Sequence, residues 1–284
     1  MENVAKIRPI PKSEIRKIRH KWELPLFAAV VSVTLVLVAM IVFLLIPFVA
    51  EMLTDDVIEL RNGLGLIILM IPVLVFFTMG NLYAKTRARA VRVTEKNFPE
   101  LYHKTEEFAK KLGMKKVPPI YVKQQNGALN AFAAAVIGKP FSNINAEIVD
   151  IAYGEHKDFG PAYFVLAHEI AHIYFNHVQF RYFTLVHLGR LIPILGPTFS
   201  RAREYSCDRL AQLLTDSEGI EEMSVLLVGR IAYKHIDVRD FISDEINKKG
   251  LFIWFFNLQA SHPIMPRRLA ALADPQRKSG KLIF

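Results

Sequence analysis

Two uncharged apolar runs, Leu26 to Ala50 and Leu64 to Tyr83, restrict this chain more than any other feature. Each is long enough to cross about 30 Å of hydrocarbon as a helix, where only helices and closed barrels satisfy their own backbone. The first run exceeds the roughly 7 to 15 apolar residues of a cleaved signal and a second follows at once, so an uncleaved anchor is expected. Nothing polar interrupts the second run to give it the solvent face of a core helix. A transmembrane hairpin is therefore expected over residues 24–83, with spans at 26–50 and 64–83, between a basic segment 1–23 and a remainder 84–284.

The distribution of charge orients that hairpin. The formal net charge is +9. Residues 1–23 carry seven Lys or Arg against three acids, residues 84–97 carry five against one, and the connecting loop 51–63 carries one against four. By the positive-inside rule both basic flanks stay in the cytoplasm and the acidic loop lies outside. The expected location is the cell membrane, multi-pass, with the N-terminus and the domain after the spans cytoplasmic. Once the flanks are set aside the rest of the chain is ordinary in charge, and no nucleic-acid recognition motif accompanies it, so no nucleic-acid partner is expected. Cys207 is the single cysteine, which excludes an internal disulfide and agrees with a reducing compartment.

The second strong pattern is His168-Glu-Ile-Ala-His172, an H-E-x-x-H inside the helical run Phe164 to Tyr174. Two imidazoles four residues apart lie on one helix face and can reach one tetrahedral zinc ion, with Glu169 placed to act on a water as general acid and base. A merely packed helix would have to bury two imidazoles and a carboxylate among Phe164, Val165, Leu166, Ile170 and Ile173, which is costly without a metal or a polar network. The pattern is the core of a zinc peptidase, with one zinc ion per subunit. Only 15 residues separate Gly160 from Asn176, too few to set the motif inside a spanning helix.

Around this motif, residues 84–112 read as helix, with Leu101, Phe108 and Leu112 at compatible spacing and Gly113 as a stop. Ile120 to Val122, Asn130 to Ile137 and Ile144 to Ile151 read as short strands of a small, mostly antiparallel sheet. Gly160-Pro161 opens the motif helix. Phe180 to Phe199 is apolar but broken by Arg181, Arg190, Pro193 and Pro197, so an interfacial segment is preferred to a third span. Helical patterns follow at Arg201 to Leu214, Ile220 to Lys234 and Pro266 to Ala273.

A catalytic zinc usually takes three protein ligands. His177, five residues after His172, is rotated off the ligand face of a continuous helix and reads as a structural or outer-shell residue. The segment Ser200 to Leu210 offers Glu204 and Asp208 on one helix face, one able to bind metal and the other to orient an imidazole or fix an arginine. A solvated charged helix laced with Arg201, Arg203 and Arg209 is the competing reading.

Four blocks resemble the HtpX-like membrane zinc metallopeptidases, relatives of the CAAX prenyl proteases: Asn130-Ala-Phe-Ala133, His168-Glu-Ile-Ala-His172, Ser200-Arg-x-x-Glu204-Tyr-x-x-Asp208, and Ser261-His-Pro263 with Arg267-Arg268-Leu269. The resemblance implies zinc ligation by His168, His172 and Glu204, Glu169 as catalytic acid/base, and Asn130, Ala131, Phe132 and Ala133 as a sheet edge along which an extended peptide lies. Asp208 is then the outer-shell carboxylate. His262 is either the donor to a tetrahedral oxyanion or a loop-capping residue, with Tyr205 a weaker choice for the same donor. Unlike typical HtpX proteins, this chain lacks two full hydrophobic segments after the motif helix. Cys207 stands where many relatives have Ala and reads as a small buried residue.

The expected fold is thus α+β and mainly helical: a two-helix transmembrane hairpin, then a zincin-type, gluzincin-like metallopeptidase domain with a small antiparallel sheet. The expected activity is endopeptidase cleavage of polypeptides at the lipid bilayer, misfolded membrane proteins among them. A catalytically silent, membrane-anchored zinc scaffold is the alternative from another class.

Overall fold

In the computed structural model of the chain, residues 7–44, 55–125, 127, 129–136, 138–155, 157–245, 250–273 and 280–282 are described. After a short helix α1 (Lys12–Ile18), the two apolar runs form α2 (Glu23–Leu44) and α3 (Asp55–Arg89). Residues 45–54, which hold the end of the expected first span and the start of the acidic loop, lie outside the described residues. The helix begins at Asp55, so most of the segment expected as a loop at 51–63 is helical. Protein covers 11% of the apolar window of α2 and 6% of that of α3. A core helix would be mostly covered, so the outward faces of this pair are apolar surface with no polar counterpart.

The expected helix at 84–112 is two pieces. The helix α3 ends at Arg89, β1 (Val91–Arg92) pairs with a later strand, and α4 (Pro99–Lys111) starts afresh. Phe98 takes a left-handed conformation (φ 62°) that no helix can carry, and Pro99, lacking an N–H to give, starts the new helix. Next come β2 (Ile120–Lys123), β3 (Ala131–Val136) and β4 (Lys139–Asn145), in the sheet order β1-β2-β4-β3. The sheet is mixed, not antiparallel: β1–β2 and β3–β4 run antiparallel, whereas β2 and β4 are parallel, Ile120 opposite Ser142 through Lys123 opposite Asn145. The reason is topological, because β3 folds back through a hairpin and lays β4 between itself and β2. The third expected strand, Ile144 to Ile151, ends at Asn145. The rest is the helix α5 (Ala146–Tyr153), whose buried Ile148, Val149, Ile151 and Ala152 follow a helical period.

The motif helix α6 (Gly160–Tyr174) is the centre of the core. Phe164, Leu166, Ala167, Ile170 and Ala171 are buried among Leu101 and Phe108 of α4, Ile144, Ile148, and Leu210, Ala211 and Leu214 from the far side. The chain then runs through α7 (Phe180–Arg190), α8 (Leu195–Thr215), α9 (Ile220–Ala232), a 3₁₀ turn (Tyr233–His235), α10 (Val238–Glu245), α11 (Leu251–Gln259) and α12 (Met265–Ala273).

The segment expected to be interfacial forms α7, a turn at 191–194 and the start of α8, and it leans on α2. Phe27 stacks on Tyr182 at 5.1 Å, and Val30 is buried with Val186 and Phe199. The backbone N–H of Gly189 donates to Thr34 Oγ1 at 2.9 Å. This approach needs glycine, since a Cβ at 189 would stand 2.2 Å from the carbonyl oxygen of Val30. Rising contacts from Phe27 to Thr34 show α7 running alongside α2 in the same direction, with α8 returning.

Candidate metal centre

The helices α6 and α8 pack face to face and bring together residues more than thirty positions apart in sequence. Nε2 of His168 and Nε2 of His172 are 3.2 Å apart, and they lie 3.5 Å and 3.4 Å from the two carboxylate oxygens of Glu204. Ligands about 2.0 to 2.2 Å from a tetrahedral ion are separated by about 3.3 to 3.6 Å, so this triangle has the dimensions of one face of a zinc site. The competing picture of α8 as a solvated charged helix fails, because Arg201, Arg203, Glu204 and Asp208 are all buried.

Outer hydrogen bonds set which nitrogen of each imidazole is free. His177 Nε2 lies 2.9 Å from Glu23 Oε1 and therefore donates to that carboxylate. Its Nδ1 is then an acceptor, 3.1 Å from Nδ1 of His172, which donates to it. The lone pair of His172 is left on Nε2, facing Glu204. On the other histidine, Asp208 Oδ1 stands 2.8 Å from His168 Nδ1, although off the line of a full hydrogen bond. Arg268 fixes Asp208 from behind with Nε and Nη2 at 2.8 and 2.6 Å. Both imidazoles thus turn Nε2 lone pairs to one point, as metal ligands supported by an outer shell do.

Charge follows the same logic. Burial opposes protonation of His168, but Asp208 and Glu204 outweigh it and raise the imidazole to about 10, so an entering cation displaces a proton. Burial holds His172 down to about 4 against the pull of Glu204, and burial with the Arg203 charge holds His177 at about 3. Glu204 is buried, yet the imidazoles of His168, His172 and His262 gathered around it hold its carboxyl well below the usual range. Burial raises Glu169 to about 7. A second group of donors, His172, His177 and Cys207, also converges. Burial and the charge of Glu204 push its thiol far up, which leaves a neutral sulfur and a poor ligand.

His168, Glu169, Glu204, His262 and Arg268 line a cleft of about 320 Å³ together with Asn130, Ala131 and Met223. His262, exposed in the Ser261-His-Pro263 loop, places Nδ1 2.9 Å from Glu204 Oε2. Of the expected sheet edge, Asn130 and Ala131 reach the cleft, and Ala131 to Ala133 lie on β3, one of the two edge strands. Phe132 points elsewhere and packs on Phe141. Tyr205 is buried with its hydroxyl donating to Lys281 O at 3.0 Å, away from the cleft. Glu23 has no sequence signature as a site residue, standing merely as the last acid of the basic N-terminal segment. Arg268 is marked only by its block.

Residues 95–192 match peptidase family M48. His168, Glu169 and His172 fall inside that segment, and Glu204 lies beyond it. Over it the chain is similar to a class of metallopeptidases. Within that class the likeness is HtpX-like: the "Protease HtpX homolog" of Fusobacterium nucleatum subsp. nucleatum is 33% identical over 93 residues, 31% of this chain. The match spans 30% of the length of that curated relative. No solved structure matches the chain significantly.

Proposed function

We propose that the chain is a membrane-anchored zinc endopeptidase, with His168, His172 and Glu204 holding the metal. The observation that carries this reading is the convergence of three ligand groups, with His177 hydrogen-bonded behind His172 and the Arg268-held carboxylate of Asp208 standing behind His168. The M48 match and the HtpX-like relative support it. When bound, zinc supplies polarisation of the scissile carbonyl and acidification of a water.

Glu169, buried beside the ligands and raised to about 7, is suited to take a proton from that water and return it to the leaving amine near neutral pH. His262 is held by the Glu204 carboxylate, whose hydrogen bond and charge favour its protonated form, making it a donor at the cleft wall for a developing oxyanion. Asp208 and Arg268 keep His168 in its tautomer, and Glu23 and His177 do the same for His172. An extended peptide would add to β3 at the Asn130-Ala131 end, main chain to main chain, which reads few side chains and tolerates many sequences.

The basic flanks support a cytoplasmic N-terminus and catalytic domain, with α2 and α3 as the two spans. In this orientation α7 and the following turn dip into the bilayer beside α2 without crossing it. Polypeptides at the membrane, misfolded membrane proteins among them, are the substrate class that fits. The test is hydrolysis of casein by the full chain in detergent, with zinc content measured in parallel. Glu169→Gln is expected to retain one zinc and to lose activity by about 10²-fold or more. Full activity in that variant would overturn the assignment, and stoichiometric zinc without chelator-sensitive cleavage in the native chain would point instead to a silent scaffold.

A further inference from the structure

The helix α11 carries Leu251-Phe-Ile-Trp-Phe-Phe256, six large apolar side chains in succession. Successive residues point all round a helix, and all six are exposed: Leu251 by 72%, Phe252 by 85%, Phe255 by 51% and Phe256 by 62%, with Ile253 at 41% and Trp254 at 36% on the side that faces the protein. A surface helix in water buries one apolar stripe, and in this one no apolar side chain is fully buried. In α11 only Asn257 is buried.

Position decides what covers it. Arg201 of α8 holds the C-terminal end of α11, donating from Nη1 to the carbonyls of Asn257 and Ala260 at 2.6 Å each. Two residues earlier on α8, Phe199 is buried against Phe27 and Val30 of α2, and five residues later Ser206 bonds Glu23, where α2 begins. The anchored end of α11 therefore stands level with the point at which α2 enters its apolar stretch. At nine residues α11 is about 14 Å long, too short to span a bilayer and long enough to sink into one leaflet. In sequence, Lys248-Lys249-Gly250 stands ahead of it, and lysine is a cation that anionic headgroups attract.

We infer that α11 is a membrane-seated helix, its Leu251 to Phe256 end immersed in the lipid of the leaflet that α2 enters. This rests on the membrane-anchored reading above and deepens it. Three residues after α11, His262 meets Glu204, so the seated helix ties one wall of the metal cleft to the bilayer surface. The substrates that geometry favours are polypeptide segments lying at that surface.

The sequence holds two tryptophans, Trp22 and Trp254, and Trp22→Phe leaves Trp254 as the sole reporter. The full-length variant is placed in nanodiscs of phosphatidylcholine and phosphatidylglycerol, with bromine carried either near the glycerol end or near the methyl end of the acyl chains. Trp254 emission is expected to fall by about half with shallow bromine, less with deep bromine, and to resist aqueous acrylamide. Adding Phe252→Gln and Phe255→Gln, both on exposed positions, should shift that emission to longer wavelength and cut the bromine effect at least about twofold. A retained chain whose Trp254 is open to acrylamide and blind to bromine overturns the inference alone. Emission shielded from both quenchers in a concentration-dependent way overturns it in favour of a second copy of the chain. Release of the chain from the discs by alkaline extraction overturns the anchored-peptidase reading along with it.

Discussion

Arg268 and Asp208 form a buried pair in which two bonds point one guanidinium at one carboxylate. Burial alone would raise Asp208, but Arg268 overrides it and holds the carboxyl below its usual value. Its contribution to stability is accordingly present above about pH 4 and fades as pH falls through the lowered folded value. Arg268→Ala strands that carboxylate and is expected to cost about 3–5 kcal/mol, read as a lower urea midpoint at neutral pH. An unchanged midpoint would show that water replaces the guanidinium. At this scale the site was legible where chemistry is local. His168, Glu169 and His172 sit within five residues, and their spacing alone marks them as candidate metal ligands with an acid/base beside them. Glu204 and Asp208 needed a resemblance to choose between metal ligand and solvated charge. Glu23 could not be found, because nothing in the residues around it encodes a histidine met 154 positions later.

Between elements, the tie from α2 through His177 to His172 is the contact with the clearest measurable consequence. Outer-shell partners of a ligand histidine commonly contribute about 10–100-fold in metal affinity. Glu23→Gln and His177→Phe are each expected to weaken zinc binding by that order, measured by competition with a chelator in detergent. Native affinity in both would reduce the tie to packing. Helices were largely legible from the period of their apolar residues, since α6, α8, α9 and α12 fall near their expected places. The sheet was less so. A short apolar run such as Ile144 to Ile151 fits strand and helix alike, and strand direction is set by which neighbours close the sheet, which alternation does not record. The break at Phe98 was missed because apolar spacing carries on across it while the backbone does not.

For the molecule as a whole, composition located the apolar excess in two runs, and the low coverage of α2 and α3 agrees with that. The third apolar element, α11, escaped notice because nine residues fall below any spanning threshold. A ligand that binds only the folded chain stabilises it by about 2.7 kcal/mol at a hundredfold excess over its dissociation constant. Stripping metal with a chelator should therefore lower the unfolding temperature in detergent by several degrees, with zinc restoring it and magnesium failing to. Equal melting with and without chelator would leave His168, His172 and Glu204 as an unmetallated network.

The carboxylate of Glu23 sits at the foot of α2 and accepts hydrogen bonds from Ser206 and His177 in the interior of the domain. A helix rooted in this way is not a leash from which the domain hangs. One hydrogen-bonded chain runs from the foot of α2 through His177 to Nδ1 of His172, so the position of that imidazole is set by the same contact that fixes where the apolar helix begins.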